Sequence, residues 1–262
     1  MKFKLPQYLA SACFVLCATV NSASAAEIKV MISAGFYGVY EQLAPEFERT
    51  TGNRLITTRG PSIGDSPEAI PTRLASGQKA DILILDGDSA ENLAKKGFVI
   101  PDSVTILAYS QIGAAVKLGA PKPDISSVDA FRKTLLAANS IAYSDSGSGT
   151  YIANTMFSKL GILDQVKGKS MKVRGPPSGE AVAAVVARGE AEIGFQQVSE
   201  IIHTPGITYL GPIPKEMQPG FSFAGAITTN AVNPDGAAEL IKFLSAPSVT
   251  QVISKAGLIP VA

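Results

Sequence analysis

Four short turns gather small and hydroxylated residues where an apolar run gives way to a helical pattern. The longest is Ser144-Asp145-Ser146-Gly147-Ser148-Gly149-Thr150-Tyr151, set between a strand-like run at 140–143 and a helix-like run at 151–160. Gly147 and Gly149 allow the backbone to approach a bound group closely, and the Thr150 hydroxyl can cap the helix. Such a turn directs unpaired N–H groups and the positive end of a helix dipole at one point, which is chemistry for holding an anion. Taken alone it is equally an ordinary capped turn. The same make-up recurs in Ser33-Ala34-Gly35-Phe36-Tyr37-Gly38, at 60–66, and in Gly175-Pro176-Pro177-Ser178-Gly179. Convergence of the four implies an anionic ligand.

The elements around these turns alternate. Strand patterns at 27–33, 55–59 and 80–85 are separated by helical patterns at 37–49, 67–76 and 89–96. The near-continuous apolar character of 80–85 suits a parallel strand covered on both faces, and Gly97 ends the helix after it. A long strand-like run at 106–116 is broken by Tyr109-Ser110-Gln111. A second alternation follows, with helices at 127–138 and 178–188 and strands at 171–173, 191–195 and 207–210. The tail holds a strand at 221–228, a helix capped by Asn233 with Pro234 in its first turn, and a last helix at 248–256. It has too few strands to fold alone. The expected architecture is therefore α/β with two lobes, 26–108 plus 215–262 and 109–214, joined by two crossover strands. In such sheets ligands bind at the carboxyl ends of the strands, here in a cleft between the lobes.

Lys2 and Lys4, an apolar run at 9–20 and Ala23-Ser24-Ala25 make a secretory leader, with cleavage expected after Ala25 and export to the periplasm. No later segment approaches the apolar length that a membrane helix needs. Cys13 and Cys17 both fall in the leader, so the mature chain has no disulfide, thiolate ligand or cysteine nucleophile. With 23 basic and 22 acidic residues, nothing marks a nucleic-acid or anionic-membrane surface. One histidine, His203, and no mature cysteine argue against a transition-metal site, and no cofactor motif is present.

Two motifs mislead. Gly60-Pro61-Ser62-Ile63-Gly64 matches a hydrolase nucleophile elbow, but loop residues follow where that elbow needs an immediate helix. Residues 146–150 lack the Gly-Lys-Ser/Thr of a phosphate-binding loop and the third glycine of a dinucleotide fingerprint.

Whole-chain likeness adds to this. Residues 30–34 before a helix, Arg73-Leu74-Ala75-Ser76-Gly77-Gln78-Lys79-Ala80-Asp81-Ile82, Lys159-Leu160-Gly161-Ile162-Leu163-Asp164, residues 185–194 with Arg188-Gly189-Glu190-Ala191, and Phe243-Leu244-Ser245-Ala246-Pro247 carry it. In these the chain resembles the type II periplasmic solute-binding proteins, most of all the molybdate-binding branch that serves ABC importers. The resemblance implies a tetrahedral oxyanion held by two serines, two main-chain amides and a tyrosine. By spacing, the first serine falls at Gly35 and the tyrosine at Gln197. Ser62 or Ser66 can stand for the second serine, and the amides map to Gly149 and Gly179. Each lost hydroxyl donor to a charged oxygen is worth roughly 1.5–3 kcal/mol, which argues against molybdate.

Phe36, Tyr37, Arg59 and Tyr151 appear in the turns instead, and arginine grips carboxylates bidentately. The resemblance implies two functions. One is a receptor that delivers a molybdate-like oxyanion or small organic carboxylate to an ABC importer. The other is an isomerase on the same scaffold that moves a proton along the allylic system of an unsaturated tricarboxylate. The expected ligand contacts are Gly35, Phe36, Arg59, Ser62, Arg73, Ser148, Gly149, Thr150, Tyr151, Gly179 and Gln197. Tyr37 is the expected proton carrier, with nearby cations lowering its pKa.

Overall fold

The computed structural model describes residues 26–261; the expected leader, 1–25, lies outside them. The first half of the chain runs β1 (Glu27–Ile32), α1 (Ala34–Thr51), β2 (Arg54–Arg59), α2 (Ile70–Ala75), β3 (Ile82–Asp86), α3 (Gly87–Lys95) and β4 (Thr105–Tyr109). The second alternation runs β5 (Ile112–Lys117), α4 (Val128–Ala137), β6 (Ile141–Ser144) and α5 (Gly147–Tyr151). A π-helical turn, Ile152–Met156, carries α5 into α6 (Phe157–Lys159). It continues with α7 (Leu163–Val166), β7 (Ser170–Val173), α8 (Val182–Arg188), β8 (Ile193–Gln197), α9 (Val198–Ile201) and β9 (Ile207–Pro212). The tail supplies β10 (Ser222–Ile227), α10 (Pro234–Leu244), α11 (Thr250–Lys255) and β11 (Ile259–Pro260).

Two sheets result, ordered β11-β4-β10-β3-β1-β2 and β7-β6-β8-β5-β9. All five residues of β3 are buried, as its apolar run requires. Its neighbours differ in sense, however: β1 is parallel and β10 antiparallel. The tail causes this, because it returns to the first lobe and inserts β10 between β3 and β4. One face of this sheet packs Phe36, Phe47, Leu240 and Ile253, and the other packs Ile70, Leu74 and Leu93. Phe131, Phe157 and Phe195 centre the second lobe. Each such side chain contributes about 1.5–3 kcal/mol on burial. Among the described residues, no helix is long and apolar enough to cross a membrane.

Asp81 fastens the returning tail. It is 1% exposed. One carboxylate oxygen accepts the Lys29 amide at 2.7 Å, and the other accepts the amides of Val232 and Asn233 at 2.6 and 2.9 Å. Asn233 then caps α10 through the Gly236 amide, as expected. The two crossovers run side by side, with the Ser110 amide donating to the Phe221 carbonyl at 2.8 Å. Met217 and Phe221 pack on the second lobe's core. Gln218 exchanges hydrogen bonds with both backbone groups of Ile112, each at 2.9 Å.

Several helix starts differ from expectation. α1 opens at Ala34, so Gly35 and Phe36 belong to its first turn. α5 opens at Gly147 behind Ser146, and Thr150 is an exposed residue inside the helix instead of its cap. α8 opens only at Val182, and residues 175–181 stay in a loop closed by the Glu180 amide on the Arg174 carbonyl. His203 lies beyond α9 and meets the Lys255 carbonyl at 3.1 Å.

Candidate functional site

The carboxyl ends of the central strands of both sheets meet in one hollow. Ser33, Gly35, Pro61, Ser62, Asp86 and Phe223 line it from the first lobe. Asp145, Ser146, Gly147, Gly175, Gln196, Gln197 and Glu200 line it from the second. Its volume is ≈ 40 Å³, room for about three waters at about 10–15 Å³ each. A wider groove of ≈ 410 Å³ shares Pro61 and Asp145 with it and carries Lys172 and Arg174 on its wall. Arg174 crosses between the lobes to Glu68 at 2.9 Å.

Hydroxyl groups gather around the hollow from both lobes. The Ser33 hydroxyl is buried and makes no hydrogen bond. It stands at the head of α1 without capping the helix. The first amides of that 18-residue helix therefore keep their positive end free. On the opposite wall, the hydroxyls of Ser144, Ser146 and Ser148 form a mutual cluster at 2.7–3.3 Å. The Ser62 hydroxyl accepts the Asp86 amide at 3.1 Å, which leaves its proton to donate.

Three acids also line the hollow, and their surroundings set them apart. Asp86 accepts the Ser89 amide at 3.3 Å, and Asp145 accepts the Gly175 amide at 3.0 Å, so both carboxylates hold backbone. Burial raises the Asp86 pKa. Glu200 is pushed up to about 7, chiefly by burial; a hydrogen bond from Gln196 and the charge of Arg59 pull it down, and the charge of Asp145 pushes it up. Near neutral pH it can hold or release a proton. Gln196 donates to Glu200 Oε2 at 2.6 Å while its own oxygen accepts the Val182 amide at 2.9 Å, so its orientation is fixed.

Residues 28–259 match the family described as "Bacterial extracellular solute-binding protein". The chain belongs to this solute-binding family. It is similar to the aconitate isomerase of a Pseudomonas sp., with 40% identity over 234 residues, covering 89% of this chain and 88% of that one. It is also similar to the molybdate-binding protein ModA of Azotobacter vinelandii, with 26% identity over 243 residues, covering 90% and 91%. Among solved structures, the periplasmic molybdate-binding protein of Azotobacter vinelandii matches with a TM-score of 0.70 at 21% identity, covering 90% of this chain and 100% of that one. The two-lobe type II periplasmic-binding fold is thus the fold of this chain.

Of the residues expected at the site of this solute-binding protein, Gly35, Ser62 and Gln197 line the hollow. A Cβ on Gly35 would lie 2.1 Å from the Phe223 ring. The aromatic ring therefore occupies the space that a serine side chain would need. Gln197 accepts the Ser110 hydroxyl, which ties β8 to the first crossover. Arg59 stacks on the Tyr37 ring at 3.8 Å with its buried Nε unpartnered, and its charge reaches Glu200. Ser148 is buried in the hydroxyl cluster, and Thr150 lines the outer groove.

The others stand back from the hollow. Phe36 is a core residue against Phe223. Arg73 bonds the Glu68 carbonyl at 2.9 Å and the Gln78 side chain at 3.0 Å, and so shapes the loop before α2. Tyr151 donates to the Met217 carbonyl at 2.8 Å. Gly149 and Gly179 sit behind the lining, where a Cβ would lie 1.6 Å from the Ser144 carbonyl oxygen and 2.0 Å from that of Arg174. The residues of these turns that line the hollow are instead Ser146, Gly147 and Gly175, the last with its amide already given to Asp145. The Tyr37 hydroxyl donates to Glu41 at 3.0 Å. Its pKa is raised, by burial first and then by Glu41, with Arg59 opposing.

Sequence reasoning missed Ser33, Asp86, Asp145, Gln196, Glu200 and Phe223. A usable signal for two of these, Gln196 and Glu200, was the polar end of an apolar strand, Gln196-Gln197 followed by Glu200. For Gly149→Ala we expect destabilisation of about 1–3 kcal/mol from overpacking against β6, read as a lowered thermal midpoint by circular dichroism. A midpoint equal to wild type would show that the start of α5 has slack.

Proposed function

We propose that this chain is a periplasmic aconitate isomerase, interconverting trans- and cis-aconitate by an allylic proton shift in the hollow between its lobes. Its 40% identity across 88% of the length of an aconitate isomerase carries the reading. The geometry supports it. Phe223 fills the place of a hydroxyl donor at Gly35, which weakens the grip on a small tetrahedral oxyanion. A tricarboxylate exceeds the ≈ 40 Å³ hollow, so its carboxylates extend toward the groove that holds Lys172 and Arg174 once the lobes part. The free head of α1 and the Ser33 hydroxyl suit the charge that builds on the dienolate-like transition state. The shift exchanges only protons with the protein. Export follows from the leader, removed near Ala25.

A second reading rests on the 26% identity to a molybdate-binding protein: a receptor that hands a small anion to an ABC importer without changing it. Incubating the mature protein with trans-aconitate in D₂O separates the two. The expected result is cis-aconitate at more than one turnover per protein molecule. Unchanged trans-aconitate, tightly bound, would establish the receptor instead.

A further inference from the structure

We infer that Glu200 is the residue that carries the proton, taking it from the substrate methylene and returning it to the far end of the allylic system. The inference rests on the isomerase reading above. Glu200 lines the hollow on the second lobe's wall, across from Ser33 and Gly35. Its Oε2 is held by Gln196 at 2.6 Å. Among the described residues Oε1 accepts no hydrogen bond, and it is the oxygen left to meet a substrate. The next residue toward the N-terminus fixes its position: the Ser199 hydroxyl donates to the Gly35 carbonyl at 2.7 Å, which pins α9 to the first turn of α1.

The groups facing Glu200 come from separate elements. Arg59 at the end of β2 favours its ionised form, Asp145 after β6 disfavours it, and Gln196 at the end of β8 favours it. Asp86 and Asp145 each use one carboxylate oxygen to hold a backbone amide, whereas Glu200 holds only a side chain, and the Tyr37 hydroxyl is given to Glu41.

The step balances. The Glu200 carboxylate takes a proton from the methylene carbon, and the C–H electron pair moves into the allylic system as a dienolate. The double bond shifts by one position, and the same carboxyl returns the proton to the former vinylic carbon. Nothing is oxidised, and the protein ends in its starting state.

The test compares mature wild type, Glu200→Gln, Glu200→Asp and Tyr37→Phe. Turnover is followed by proton NMR in D₂O, trans-aconitate binding by calorimetry, and folding by circular dichroism. General acid–base catalysis is worth about 10²–10⁴-fold, so E200Q should lose that much turnover while binding trans-aconitate within about threefold of wild type. E200D should retain part of the rate with a displaced pH profile, and Y37F should keep the wild-type rate. An active wild type with E200Q within tenfold of it would overturn the role of Glu200 and leave the isomerase reading intact. Loss of turnover in Y37F but not E200Q would move the role to Tyr37. Loss of binding and turnover together in both Glu200 variants would reduce Glu200 to a structural part. An inert wild type would overturn the isomerase reading itself.

Discussion

Asp81→Ala lowers the free energy of unfolding by about 3–5 kcal/mol, because one buried carboxylate satisfies three main-chain amides and nothing replaces it. The amides belong to Lys29 in β1 and to Val232 and Asn233 just before α10. Losing the acceptor strands one donor in the sheet and frees the segment that holds the tail to the first lobe. Asp81→Asn is expected to do little better, since its amide group would turn a donor toward a donor. The chain has no tryptophan, so urea denaturation followed by far-ultraviolet circular dichroism is the suitable measurement. A loss below about 1 kcal/mol, within the range of an ordinary surface substitution, would show that water reaches all three amides.

Glu200→Gln works in the opposite direction. It raises stability by about 3 kcal/mol at pH 8 and leaves it unchanged near pH 4, because each unit of pKa shift is worth about 1.4 kcal/mol. The folded protein holds the Glu200 proton to about 7, against an ordinary 4.5. Below the lower value both states are protonated and burial costs nothing extra. Between the two the unfolded chain ionises while the folded one resists, so stability drains as pH rises and levels off above the higher value. Glutamine cannot ionise and is spared that slope. Thermal midpoints of both proteins across this range would show it, and parallel curves would mean that Glu200 is solvated in the folded state. Such a cost is what the proposed role of Glu200 as proton carrier would require the fold to bear.

The alternation of apolar strands with helical patterns made both lobes legible, because parallel pairing and helix burial leave periodic traces in the residues themselves. The insertion of β10 beside β3 left no such trace; it depends on Asp81 and Thr228, whose partners lie far away in sequence. The Gly-rich turns were legible as anion-seeking. Which glycines face a ligand was not, because Gly149 and Gly179 are required by their own preceding carbonyls. Tyr37 looked reactive by residue type, but helix spacing sets its hydroxyl on Glu41, four residues along. Glu200 could be flagged only by its place after the polar end of a strand, since its altered acidity arises when Arg59, Asp145 and Gln196 are brought around it from three strands.

The Ser110–Phe221 hydrogen bond has a mechanical consequence. Met217, Phe221 and Gln218 pack on the second lobe, so the chain passes between the lobes only beside that bond, near Ser110 and between Phe221 and Ser222. A rotation of one half against the other would turn about that single line and leave both cores packed as they are. Admitting a guest then means parting the bonds that join the lobes: the Glu68–Arg174 ion pair, the Ser199–Gly35 hydrogen bond and the His203–Lys255 contact.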